Sequence, residues 1–433
     1  MTANEQICRT SVTIGDVRNE LKRHCGLQNT AVDVVNWSAE EIGSGKGFFS
    51  VLARVKLQWS KREDSANCEL PSTVVVKIPT ATKMHQLLSG TEQMRQMGEM
   101  MKAEMHTIHN CEVTAYEWFA RINIRQYECA PIAAVYGLKR LPDATSLAAG
   151  EPAFIIMQDF SGVAGIVDNL KLEHLSRSQA QQVTKALATI HASSVVHNAR
   201  ERLRLTERDA WLFEELLNDV QASHTDFMRI IAEQRWRNVM QTGVVERAAE
   251  IRMSTAFALE EFTSHRACNL PDVLCHGDVW TNNMLFALDS AGKATGHLMA
   301  LIDWQASFKV NGMVDLAMAL SWPLHSADRS TQFREAMLDV YYGAFADVLS
   351  SSNLEYTDQM PFERQQLSRA FWRTYTFCQR LYVPLFTTML VQNIADNQIP
   401  GLNAQQHGEQ MMLEVRLMLE ETLALMDDVH KTV

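Results

Sequence analysis

Two short stretches constrain this chain more than anything else in it. The first runs Cys275-His276-Gly277-Asp278-Val279-Trp280-Thr281-Asn282-Asn283-Met284-Leu285-Phe286, and the second is Leu301-Ile302-Asp303-Trp304-Gln305. In the first, Asp278 and Asn283 lie in a polar loop with Val273 to Cys275 leading in and Met284 to Phe286 leading out. In the second, Asp303 closes an apolar run from His297 to Ile302. Phosphoryl transfer demands such a set. One carboxylate orients the attacking hydroxyl and accepts its proton, while an amide oxygen and a second carboxylate hold magnesium against nucleotide phosphates. His276, Asp278 and Asn283 meet the pattern H-x-D-x-x-x-x-N residue for residue, and Asp303 stands where kinases place a metal-binding Asp after a short hairpin. A lone HGD is a common Asp-capped turn; two linked motifs in this order, each at a strand end, are not. Asp278 and Asn283 are therefore the expected catalytic residues, and Asn283 and Asp303 the expected Mg²⁺ ligands.

These stretches resemble the aminoglycoside-phosphotransferase and choline-kinase-like superfamily, whose signature is HGD followed by Asn. The wording HGDVWTNNMLF with IDWQ is most similar to its ecdysteroid-kinase-like branch. The resemblance implies an α+β, bilobal, protein-kinase-like fold. Residues 1–160 would form a small antiparallel-sheet lobe for the nucleotide, and residues 161–433 a large helical lobe with the catalytic loop, metal site and acceptor pocket. It implies ATP and Mg²⁺ as cofactors and a small-molecule hydroxyl as acceptor, steroid-like or xenobiotic in the closest branch. Choline or sugar acceptors, or a catalytically silent binding protein of the same fold, are the alternatives. A protein kinase is disfavoured, because Trp304-Gln305 follows Asp303 where Phe-Gly would stand and no A-P-E signature is present.

The totals agree with an ordinary globular protein. Of 433 residues, 46% are hydrophobic and 21% charged, enough for a sizeable core. The formal charge of -11 argues against a nucleic-acid partner and requires a local cluster of cations to receive ATP. The eight Cys show no C-x-x-C pair and no zinc spacing, so reduced thiols and a cytoplasmic setting are expected. The polar first residues, Met1 to Arg9, carry no apolar signal core, and no apolar run is long enough to span a membrane.

Along the first lobe, Val17 to Cys25 reads as a helix closed by Gly26, and Ser38 to Ser60 as a hairpin tipped by Gly43-Ser44-Gly45-Lys46-Gly47. Gly43, Gly45 and Gly47 would let the backbone approach phosphates, although Gly-rich tips are commonplace on their own. This is not a Walker A loop, since no helix follows. Thr73 to Pro79 is a β-branched strand carrying Lys77, and a buried Lys needs a carboxylate partner. Glu112 and Glu117 are the candidates; the similarity of Glu112-Val113-Thr114-Ala115-Tyr116 to the family's E-x-x-x-Y helix favours Glu112. Phe154 to Phe160 turns from apolar to polar, as a strand entering an interlobe hinge would. Met157, Gln158 and Asp159 are accordingly assigned to nucleotide binding, although the family usually shows an acid where Gln158 stands. A Met-rich stretch from Met84 to Met105 is read as a packed helix of no evident role.

The second lobe reads as helical. Ser176 to Gln179 is a capping box before an apolar face of Ala180, Val183, Leu187 and Ile190. Long helices are expected over 207–218, 227–263, 332–349, 361–391 and 404–426, with fraying at 428–433. His191 resembles the family's L-H-A position and is read as a packed core histidine. Asp315, in a D-L-A resemblance, is read as a brace for the catalytic loop, and His276 as a structural prop rather than a base.

Overall fold

The structure is a computed structural model that describes residues 4–43, 50–60, 69–80, 105–127, 130–143, 145–146, 150–198, 224–254, 269–352, 360–393 and 403–432. The chain forms two compact units whose boundaries interleave in sequence. The first comprises Met1–Arg121, Ile132–Val163 and Asp303–Ala306; the second takes Ile122–Pro131, Ala164–Ile302 and Ser307–Val433. The class is α+β, a five-stranded antiparallel sheet with a largely helical remainder.

The first unit is built on strands β1 (Val34–Ile42), β2 (Ser50–Trp59), β3 (Thr73–Pro79), β4 (Val135–Lys139) and β5 (Phe154–Gln158), in the order β1-β2-β3-β5-β4. Period-two alternation decides its faces. Ala53, Val55 and Leu57 of β2, Val74, Val76 and Ile78 of β3, and Phe154 and Ile156 of β5 share one buried cluster with Val17 and Leu21 of helix α1 (Ile14–His24). Lys77 therefore falls on the opposite face of the central strand, where helix α2 (Met105–Arg121) supplies its partner. Helix α1 begins three residues before the expected start, because Thr13 and Asp16 form a capping box in which Thr13 Oγ1 accepts from the Asp16 N–H and Asp16 accepts from the Thr13 N–H. The expectation of reduced cysteines fails at Cys25, which is disulfide-bonded; spacing along a sequence reveals only near neighbours, and this pairing depends on tertiary proximity.

In the second unit, strand β6 (Ala164–Gly165) pairs with β8 (Met284–Leu288), which pairs in turn with β9 (Ala294–Leu301). Strand β7 (Asp272–Cys275) pairs with β10 (Phe308–Asn311). Around them lie α3 (Arg177–Asn198), α4 (Met313–Ala319), α5 (Thr331–Ser351), α6 (Arg364–Asn393) and α7 (Ala404–Thr432). The box at Ser176 and Gln179 starts α3 as expected, and Ala180, Val183, Leu187 and Ile190 are all buried. The long helix expected over 227–263 does not run unbroken through its described part, 227–254, and 255–263 lies outside the described residues. It divides into short helical pieces, because Glu233 is extended at ψ 137° and Gln241 takes a φ of 57°. Helix α7 runs on to Thr432, beyond the point where fraying was expected. The stretches 207–218 and 84–104 lie outside the described residues.

Candidate active site

In the first unit the Lys77 ammonium is buried, and all three of its hydrogens have acceptors. Glu112 Oε2 lies at 2.6 Å, Asp303 Oδ1 at 2.5 Å and Gln305 Oε1 at 3.4 Å. Burial pulls the lysine's pKa down, but the carboxylates of Asp303 and Glu112 outweigh it and hold it above the ordinary lysine range. Glu112, almost wholly enclosed, is pushed up to about 7, chiefly by burial and also by Asp303, with Lys77 opposing. Both groups are shifted upward, because one cation serves two acids. The lysine stays charged, and the more deeply buried acid bears the desolvation. Glu117, the other candidate, is half-exposed and pairs with Arg140.

Asp303 is presented by a short helical turn, Trp304–Ala306, that is anchored by Trp304. This indole is fully buried and meets the Phe119 ring of α2 edge-on at 4.6 Å between centroids. Asp303 itself sits at φ 67°, in the left-handed region that a non-glycine residue seldom occupies. Backbone strain of this kind concentrates at functional positions. Its second carboxylate oxygen accepts no hydrogen bond among the described residues.

In the second unit β7 delivers a loop that is held by backbone hydrogen bonds. Asp315 of α4, fully buried, accepts from the His276 N–H at 2.6 Å, the Gly277 N–H at 2.9 Å and His191 Nε2 at 3.2 Å. Gly277 has a φ of +80°, which glycine adopts without strain. His276 Nδ1 accepts from the Asp278 N–H at 3.2 Å, so its Nε2 donates to the Ile302 carbonyl at 2.8 Å. Both ring nitrogens are engaged and the ring is buried, so His276 has no ring nitrogen open to take a proton from a substrate. Asn283 Nδ2 donates to the Asp278 carbonyl and to Asp278 Oδ2, each at 2.9 Å. That fixes the amide's orientation and leaves Asn283 Oδ1 without a hydrogen-bond partner among the described residues.

His191, Cys275 and Asp315 also gather three potential ligand atoms in the interior. Each is already engaged: His191 Nδ1 accepts from the Tyr341 hydroxyl at 2.9 Å, and the Cys275 thiol faces the carbonyls of Val310 and Asn311. The group is a satisfied polar core that positions the loop. Gly312 is part of its construction, since a Cβ there would lie 2.4 Å from His191 Nδ1.

Of the remaining residues singled out from sequence, Gly43 ends β1 at φ +66°, and Gly45 and Gly47 lie outside the described residues. Met157 is buried in β5, and the Gln158 N–H donates to the Ala134 carbonyl at 2.8 Å. Asp159 accepts from Arg54 at 3.1 Å and from Ser161 at 3.0 Å. Sequence reasoning missed Gln305 beside Lys77, and the Thr281 hydroxyl donating to Asn169 Oδ1 at 2.5 Å beneath the turn that carries Asn283. Only the Gln in Ile302-Asp303-Trp304-Gln305 hinted at the first; no local signal marks the second.

Over residues 1–433 the chain matches the model of the family DUF1679, described as uncharacterized oxidoreductase dhs-27. It belongs to this ecdysteroid-kinase-like family. A relative in Caenorhabditis elegans, the uncharacterized oxidoreductase dhs-27, is 22% identical over 373 residues, which are 85% of this chain and 41% of that protein. The chain thus spans about two fifths of the length of that relative. Among solved structures, a choline kinase from Cryptosporidium parvum Iowa II is similar at 12% identity and a TM-score of 0.44, covering 92% of each chain. A GDP complex of aminoglycoside 2'-phosphotransferase-IIIa is similar at 13% identity and a TM-score of 0.41, covering 94% of this chain and 97% of that one. Membership of the ecdysteroid-kinase-like family leaves the acceptor open.

Proposed function

We propose that the protein is an ATP- and Mg²⁺-dependent O-kinase that transfers the γ-phosphoryl group to an alcohol hydroxyl of a small, steroid-like or xenobiotic acceptor. The observation that carries this is the Lys77 ammonium, kept cationic on a central strand by Glu112 and Asp303. A buried ammonium that stays charged suits phosphate oxygens. Lys77 would contact the nucleotide phosphates with Glu112 orienting it, and Gly43, Gly45 and Gly47 would cover them. Met157, Gln158 and Asp159 remain candidates for the base, with the Gln158 N–H already committed to the sheet.

Magnesium prefers hard oxygen ligands. Each unit offers a donor of that type: Asn283 in the second an amide oxygen and Asp303 in the first a carboxylate oxygen, neither engaged in hydrogen bonding among the described residues. A magnesium ion held by such oxygens would neutralise phosphate charge. Asp278 would accept the proton of the acceptor hydroxyl as that oxygen bonds to phosphorus and the bond to the ADP oxygen breaks. Asn283 holds the Asp278 carboxylate in place, and an ionised carboxylate is the form this role requires. In this reaction class the protein mainly positions groups and offsets charge.

The oxidoreductase name in the family's description is that of a longer relative. A dinucleotide fingerprint needs glycines between a strand and a helix. Here Gly43 to Gly47 lies between antiparallel strands β1 and β2, which favours the kinase reading. Calorimetry of Mg-ATP binding tests it: Asp303→Ala should abolish the magnesium-dependent part of the affinity. Unchanged affinity would remove Asp303 from the metal site.

A further inference from the structure

Lys77 has three N–H donors, and all three are taken inside the first unit. A phosphate oxygen can reach this ammonium only by displacing one acceptor. The acceptors are not equivalent. Glu112 and Asp303 make short, charge-assisted contacts at 2.6 and 2.5 Å. Gln305 makes a long one, at 3.4 Å, through a neutral amide oxygen. A carboxylate adds a full opposite charge to the hydrogen bond, whereas the amide oxygen offers only a dipole at a longer distance, so the amide is the partner that yields. It is also half-exposed, so its side chain can swing to water, whereas Glu112 is enclosed and cannot.

We infer that Gln305 is a placeholder for a nucleotide phosphate oxygen, a positioning residue that sets how readily the site accepts its anion. In the free protein it satisfies the third hydrogen of the ammonium, which would otherwise be a buried donor without a partner. Its neutrality is the functional property. With Gln305, one ammonium faces two acids; with a carboxylate at that position it would face three, and an entering phosphate would meet an added negative charge and a stronger competitor. The inference rests on the phosphoryl-transfer reading above, and concerns only how the lysine is released to the nucleotide.

Calorimetry with a non-hydrolysable Mg-ATP analogue, on the native chain and on Gln305→Glu and Gln305→Ala, tests it. Gln305→Glu should weaken binding by about tenfold or more, since a like charge is placed against the phosphate. It should also melt no lower than the native protein, because Lys77 gains a charged partner. Gln305→Ala, which leaves nothing to displace, should bind at least as tightly as the native chain. Native-like affinity in Gln305→Glu overturns the inference. So does a clear loss in Gln305→Ala, which would make Gln305 a nucleotide ligand in its own right. A native protein without measurable nucleotide affinity would instead overturn the phosphoryl-transfer reading, and the placeholder with it.

Discussion

The two halves of the candidate machinery are stabilised in opposite ways. In the first unit, Lys77, Glu112 and Asp303 are held by charge, with the lysine and Glu112 buried and Asp303 partly exposed. In the second, the loop around Asp278 is held by directional bonds. Backbone N–H groups point at one buried carboxylate, Asp315, and a histidine spans two backbone positions. Charge pairing is strong but non-directional, and it depends on protonation and on which anions are present. A hydrogen-bonded frame is indifferent to arriving anions but fails when one acceptor is removed. The first arrangement suits a group that must change partners when a substrate binds. The second suits a group that must stay still while a proton moves.

This contrast can be broken at either end. The largest effect should follow Asp278→Asn, which keeps the loop's shape but removes the proton acceptor. Turnover should fall by about 10²–10⁴, with nucleotide affinity retained in calorimetry. An Asn variant that turns over like the native protein would take Asp278 out of the role. Next comes Lys77→Met, which strands Glu112 without its cation in the interior. Breaking a buried pair on one side costs about 3–5 kcal/mol, read as loss of unfolding free energy in urea. The double variant Lys77→Met with Glu112→Leu should recover most of it, because apolar replacement of both partners removes the uncompensated charge. If the double variant is as unstable as the single one, charge is not what holds this region.

A smaller loss is expected for Asp315→Asn. The amide can accept from one backbone N–H but turns a donor toward another, at a cost of about 1–3 kcal/mol. Turnover should fall with stability here, whereas nucleotide affinity should not; a fall in affinity alone would contradict the division drawn above. The smallest effect is a pH dependence at His109. Burial pushes this imidazole down to about 4, and its Nε2 donates to the Lys139 carbonyl. The folded state therefore refuses a proton that the unfolded chain accepts below about 6.5. The stability this provides is present above that pH and drains away as pH falls toward 4. His109→Gln should flatten the melting temperature across this window; an unchanged slope would assign the acid sensitivity elsewhere, with His174, also pushed down to about 4, the next candidate.

Much of the sheet was legible in the sequence, because β-branched alternation fixes which side chains share a face. Lys77 could be placed on a strand for that reason, and its pairing with Glu112 followed from helix wording rather than from any spacing rule. The loop residues were legible as a motif. What held them was less so. Gly312 is required by a ring approaching from α3, and Asn169 meets Thr281 from more than a hundred residues away. Neither leaves a local trace. The left-handed backbone at Asp303 and the proximity of Gln305 to Lys77 are likewise products of tertiary packing. The interrupted helix over 227–254 shows the reverse error, in which apolar content outweighed the breaks at Glu233 and Gln241.

The most direct test is phosphoryl transfer itself. The native protein, with ATP and Mg²⁺, is offered sterols, choline, glycosides and a generic protein substrate, and each acceptor is weighed by mass spectrometry. A phosphorylated small alcohol should form with the native chain and all but disappear with Asp278→Asn. ATP that binds while every acceptor keeps its mass, or a product that forms equally well without the Asp278 carboxylate, would contradict the mechanism drawn from these two sites.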